Sequence, residues 1–99
     1  MKHTDVSKIM TDASLIGQKL TVCGWVRTAR DSKNVAFLAL NDGTTLNHLQ
    51  IVIDKTGDVA LPEEAAKLGA AIKVVGTAVK NERNDTTEIN AEEITVLGV

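Results

Sequence analysis

Aromatic rings are scarce in this chain: among 99 residues there is no tyrosine, one phenylalanine and one tryptophan. Any surface that stacks on a flat ligand must therefore be built on Phe37 or Trp25. A single cysteine, Cys23, rules out an intramolecular disulfide, and its place in an apolar, alternating stretch reads as small buried filler. The two histidines, His3 and His48, lie far apart with no Cys, Asp or Glu at metal-ligand spacing, which argues against zinc. His3 reads as a solvated terminal residue. There is no glycine-rich phosphate loop, nucleophile elbow or Ser/His/Asp set, so no catalytic residue is assigned. No apolar run approaches the ~18 residues of a membrane-crossing helix. Residues 1–16 lack a basic start, apolar middle and small-residue cleavage site. A cytoplasmic chain without a membrane partner is expected.

What is present suits one small domain. Hydrophobic residues make up 43% and charged residues 24%, an ordinary globular balance for a chain that can bury one core. The net charge of −2 speaks against nucleic acid until it is divided. Residues 1–49 carry six Lys or Arg against four Asp or Glu, and residues 50–99 carry five against nine. The basic excess peaks at Arg27, Arg30 and Lys33, opposed locally only by Asp31. Charge alone is equally consistent with a solvated surface.

Along the chain, Val6, Ile9 and Met10 fall at helical spacing and predict a helical turn or two over Asp5 to Met10. A loop from Thr11 to Gly17 follows, and residues 1–17 read as a lead-in to a domain over 18–99. From Gln18 the period changes to two. Leu20, Val22 and Val26 share one parity, with Gly24 where a strand can bend sharply. Val35 to Leu40 predicts a second strand, and Leu49, Ile51 and Ile53 define a third. Asn41-Asp42-Gly43 is a strong turn signal that joins these two as a hairpin. Pro62-Glu63-Glu64 opens a short helix in which Leu61, Ala65 and Leu68 share a face and Gly69 ends the run. Ala71 to Lys80 is a fourth strand, and Asn81 to Thr86 a polar hairpin loop. In the last strand Ile89 and Ala91 share odd parity, whereas Ile94 and Val96 share even parity. A one-residue slip near Glu92 and Glu93 reconciles them, which predicts a β-bulge.

Five strands with a helix between the third and fourth give the order of an all-β OB-fold, a small Greek-key barrel that binds nucleic acids or sugars on strands two and three and nearby loops. An SH3-like barrel shares the alternating period, but the intervening helix favours the OB-fold. If Leu38 and Leu40 face the core with Leu49, Ile51 and Ile53, then Phe37 and Gln50 point outward on adjacent strands; the opposite parity makes Phe37 core. Burying an aromatic side chain typically contributes about 1.5–3 kcal/mol, so an exposed lone Phe implies a partner outside the chain. Stacking a splayed base on such a ring is worth roughly 1–3 kcal/mol, and single-stranded RNA loops offer bases for stacking and edge reading.

Gly24-Trp25-Val26-Arg27, Arg30-Asp31-Ser32-Lys33, Phe37-Leu38, Leu40-Asn41-Asp42-Gly43 and Leu49-Gln50-Ile51-Val52-Ile53 resemble the N-terminal anticodon-binding domain shared by aspartyl-, asparaginyl- and lysyl-tRNA synthetases. The resemblance runs from Ser7 to Val99. The Arg-Asp-Ser-Lys run and the Leu-Asn-Asp-Gly turn look most like the asparaginyl enzymes. By position it implies that Phe37 stacks on the central anticodon base, that Arg30 approaches the same uridine and that Gln50 hydrogen-bonds its edge. Arg27 and Lys33 are expected on the RNA backbone, compensating for a basic residue that family sequences often carry where Thr28 or Ala29 stands here. Trp25 is expected to pack at the barrel's edge, and Asp31 to orient Arg30 or cap the bend.

A central uridine is common to the Asn, Asp and Lys anticodons, so the choice among them must come from elsewhere; the Asn81 to Thr86 loop and the Asp42 to Asn47 turn are candidates. The resemblance also implies a parent enzyme, a homodimer that attaches asparagine to its tRNA using ATP and magnesium in a catalytic domain of roughly 300 further residues. No cofactor is expected in this domain itself. Two other classes remain open on sequence alone: a generic single-strand or oligosaccharide-binding module, and a protein-interaction module that uses the acidic half.

Overall fold

The computed structural model describes residues 3–57, 65, 67–83 and 85–98. A short helix α1 (Val6–Thr11) and a 3-10 turn (Ala13–Leu15) precede five strands: β1 (Lys19–Asp31), β2 (Val35–Asn41), β3 (Leu49–Asp54), β4 (Ala71–Asn81) and β5 (Thr86–Gly98). They close into a barrel in the order β1-β2-β3-β5-β4. All pairings are antiparallel except β3 with β5. This is the OB-fold barrel expected from the strand pattern.

Barrel closure depends on one long bent strand. The first half of β1, Lys19 to Trp25, pairs with β4, and the second half, Trp25 to Asp31, pairs with β2. Trp25 is opposite Ala71 on one side and Asn41 on the other. The bend is possible because Gly24 has no side chain: a Cβ there would lie 2.7 Å from the Asn41 carbonyl oxygen. The predicted bulge in β5 is present. Val75 pairs with Glu93 but Gly76 with Ala91, so Glu92 is the extra residue. Ile89, Ala91 and Ile94 are thereby all brought to the buried side.

The alternating residues of all five strands meet in one core with Leu20, Val22, Leu38, Leu40, Leu49, Ile51, Ile53, Ile72 and Val74. Val6 and Ile9 of α1 are buried in the same cluster. Each such aliphatic side chain contributes about 1.5–3 kcal/mol on full burial. Two expectations need correction, on Cys23 and on Leu68. Cys23 is only half-buried, because at odd parity it faces away from Val22 and toward the outer surface. The helix expected from Pro62 lies largely outside the described residues. Of its expected apolar face Ala65 is buried, but Leu68 is 70% exposed, carried outward by a turn in which the Ala70 N–H donates to the Lys67 carbonyl at 3.1 Å. Gly69 has φ +84 and so takes the left-handed conformation of a helix-ending residue.

Asp42 ties the β2–β3 loop to α1. Its carboxylate accepts from the Val6 N–H (2.8 Å), the Thr44 N–H (3.0 Å) and the Thr44 hydroxyl (2.6 Å). Burial pushes its pKa up, but these hydrogen bonds outweigh burial and hold the carboxyl below the ordinary value. The stability gained from the depressed pKa is complete above the unfolded carboxyl value of about 3.9 and is lost as pH falls through the lower folded value. We expect Asp42→Ala to lower the melting temperature at neutral pH, and the gap to the parent chain to narrow as pH falls below the unfolded carboxyl value and the parent's own carboxylate protonates. Thermal melts across that range check this.

Candidate nucleic-acid interface

The outer faces of β1, β2 and β3 bring the predicted readers together. Arg30 and Phe37 are cross-strand partners, and the guanidinium carbon lies 5.9 Å from the ring centroid. That is cation–π range, worth about 0.5–1 kcal/mol at an exposed site. The contact holds a positive charge beside a flat apolar surface. Phe37 is half-buried rather than in the core, while its neighbours Ala36 and Leu38 are fully buried. The parity argument therefore assigned the two faces of β2 correctly.

Gln50 lies one rung along, opposite Ala39 of β2, while Phe37 faces Val52. On its other side Gln50 pairs with Glu88 of β5. Its Nε2 donates to Glu88 Oε2, which also accepts from Asn81 Nδ2 at 3.0 Å. Glu88 is 9% exposed and is the one charged side chain buried among the described residues. Two amide donors compensate for part of the cost of burying it. Binding through Nε2 fixes which end of the Gln50 amide is committed. Its Oε1 has no protein donor among the described residues.

The basic residues bracket this centre. Lys33 is exposed in the turn beyond Arg30. Arg27 is exposed at the opposite end, where Val26 pairs with Leu40 and Thr28 with Ala39, so that Arg27 is the extra residue of a second bulge. A bulge re-aims its side chain off the regular ladder. Neither Arg27, Arg30 nor Lys33 is in an ion pair among the described residues. Asp31, expected to orient Arg30 or cap the bend, pairs with Lys55 rather than Arg30, and Lys55 also donates to the Ser32 carbonyl at 2.9 Å. That brace holds the β1–β2 turn to the end of β3 and neutralises the only acid in the basic run. Trp25 is 50% exposed over Gly43, at the barrel's edge.

Residues 20–97 match the tRNA anticodon family, described as an OB-fold nucleic acid binding domain. The chain belongs to that family. Among relatives of this OB-fold domain, the asparagine–tRNA ligase of Porphyromonas gingivalis is 37% identical over 99 residues, covering 99% of the chain and 21% of the relative. That of Parabacteroides distasonis is 40% identical over 101 residues, again covering 99% of the chain and 21% of the relative. The domain thus spans about a fifth of the length of these relatives. Asparaginyl-tRNA synthetase from Pyrococcus horikoshii superposes with a TM-score of 0.77 at 22% identity, over 99% of this chain and 23% of that one. A second structure, OBody AM1L10 bound to hen egg-white lysozyme, superposes with a TM-score of 0.79 at 19% identity, over 100% of this chain and 95% of that one. At such identities the two superpositions establish the fold.

Glu88 and Asn81 of the OB-fold domain escaped sequence reasoning as parts of the site, apart from Asn81 at the start of a candidate loop. Nothing local marks Glu88: it reaches Gln50 across 38 residues of sequence, through the one parallel pairing in the barrel. The available signal was its outward parity beside Ile89, combined with the OB strand order.

Proposed function

We propose that this domain binds the anticodon loop of a tRNA and reads its central uridine with Phe37, Arg30 and Gln50. The observation that carries the reading is the Gln50 amide held by Glu88 one rung from the Arg30–Phe37 pair. Glu88 takes one of the two Nε2 N–H groups and so fixes the amide in one orientation, in which Gln50 presents its carbonyl acceptor. Uracil offers an N3–H donor to it, whereas cytosine offers a lone pair at the same ring position, and facing two acceptors leaves both unpaired. Phe37 stacks the base whatever its identity, Arg30 adds positive charge beside it, and Arg27 and Lys33 meet the phosphates. The domain serves an asparagine–tRNA ligase, the activity named for its relatives. The remainder of that enzyme carries out the ATP-dependent attachment of asparagine and acts as a homodimer in the cytoplasm, with magnesium in its catalytic domain.

Glu88→Ala tests this division of labour. It removes the acceptor that orients Gln50, so preference for a GUU stem-loop over a GCU stem-loop is expected to shrink toward unity, with GUU affinity reduced only a few-fold. Loss of hydrogen bonds to a charged group is expected to cost about 1.5–3 kcal/mol of stability each, so binding is compared below the variant's melting transition. An undiminished GUU preference in folded Glu88→Ala would contradict the role given to Gln50.

A further inference from the structure

We infer that the cup at the Arg27 end of the sheet is a second RNA subsite, one that holds the phosphodiester flanking the base stacked on Phe37. This inference rests on the single-strand RNA reading above. The cup is an open cavity of about 520 Å³ between Arg27, Asn41, the β2–β3 loop and His48.

Four observations point to a phosphate there. First, the charge in the cup is positive: Arg27 lines it, no acid among the described residues does, and Arg27 has no ion pair among them. The loop's own acid, Asp42, is engaged with Val6 and Thr44 and borders a different groove, beside Cys23, Trp25 and Leu97. Secondly, the loop is already ordered by its own hydrogen bonds. Asn41 Nδ2 donates to the carbonyls of Thr45 (3.0 Å) and Asn47 (3.2 Å), and its Oδ1 accepts from the Gly43 N–H at 2.7 Å. A preformed wall does not have to be ordered by the ligand.

Thirdly, the cup continues the reading face. Asn41, the last residue of β2, lies two residues beyond Ala39, and His48, just ahead of β3, lies two residues before Gln50. Each step is about 7 Å along a strand, so the cup follows the Phe37 and Gln50 rungs as a third. Fourthly, Leu46 on this tied loop is 98% exposed and borders the cup. It supplies an apolar surface for a ribose or a base beside the charged floor. Arg27 supplies the charge and a fork of donors for phosphate oxygens, and His48 a ring N–H.

A phosphate contact carries no base information and does carry counterion release. We therefore expect Arg27→Gln to weaken GUU and GCU stem-loops by the same factor, several-fold at low salt. The slope of log K against log salt should become shallower by about 0.7, the value for one phosphate on a single strand, and His48→Ala should weaken both loops equally. A GUU loop with methylphosphonates at the linkages flanking the central uridine should bind the parent chain more weakly than the native loop. It should cost Arg27→Gln little further. If both variants match the parent in affinity and slope while the GUU preference persists, the cup is not a subsite and the anticodon reading stands. If Arg27→Gln lowers the GUU preference itself, Arg27 reads a base and the phosphate assignment is wrong. If the parent chain binds no loop at low salt, both readings fall together.

Discussion

Replacing Gly76 with alanine is expected to destabilise the barrel by about 3 kcal/mol, at the upper end of the usual cost of overpacking a filled interior. A Cβ at this position would lie 2.3 Å from the Asn90 carbonyl oxygen, 2.7 Å from Ile89 Cγ2 and 2.9 Å from the Asn90 carbonyl carbon. Two of these atoms are backbone, and the third belongs to a fully buried side chain. None can swing aside as the end of a flexible surface residue would. Gly76 also stands where the β4–β5 register shifts, so relief would have to come from moving β5 away from β4. For a domain of this size each kcal/mol shifts the melting temperature by roughly 4–8 °C, and a fall of well over 10 °C is expected. Gly98→Ala is the control: a Cβ there meets nothing within 4 Å and should leave the transition almost unmoved. Equal melting temperatures for Gly76→Ala and the parent chain would show that the sheet yields more easily than this packing implies.

The second large effect is on RNA. Phe37→Ala removes the only phenylalanine and with it the surface against which Arg30 rests. If a base stacks there, the loss is roughly 1–3 kcal/mol, or about 5- to 150-fold in affinity by the usual conversion. Because Phe37 is not in the buried core, the fold should survive, and a melting temperature close to the parent's would separate lost stacking from lost structure. Phe37→Trp keeps a flat ring and should retain most of the affinity. Binding isotherms with a GUU stem-loop for the three chains decide the matter. An unchanged affinity in folded Phe37→Ala would remove the ring from the site.

The barrel was legible because its strands are half-buried and alternate cleanly. Leu38, Leu40, Leu49, Ile51 and Ile53 mark one face with large aliphatic side chains, and that face alone decided where Phe37 and Gln50 point. The bulge at Glu92 was legible for the same reason, since Ile94 and Val96 fall out of phase with Ile89 and Ala91. The bulge at Arg27 was not, because the residue that resumes the inward side after Val26 is Ala29, too small to announce a change of phase. Cys23 misled because its apolar surroundings were weighed above its parity, which is opposite to that of the buried Leu20, Val22 and Val26. Leu68 misled because an apolar residue at helical spacing does not reveal that the chain turns before Gly69.

At the site, the residues that touch along β1 and β2 were found and those joined across the barrel were not. Arg30 and Phe37 meet through a hairpin register that local spacing sets. Gln50 and Glu88 meet only because β5 runs parallel to β3, a contact no local pattern carries. Asp31 shows the same limit: its partner, Lys55, is 24 residues away.

The most direct test of the central claim is an amide-shift NMR titration of the chain at low salt with stem-loops bearing GUU, GUC, UUU and GCU. Reading of the central uridine predicts perturbations centred on Arg30, Phe37, Gln50 and Glu88 with the first three loops, weakened when GCU replaces the uridine; a preference for GUU would assign the asparagine anticodon. Equal binding of all four loops, or shifts that leave those four residues untouched, would contradict it.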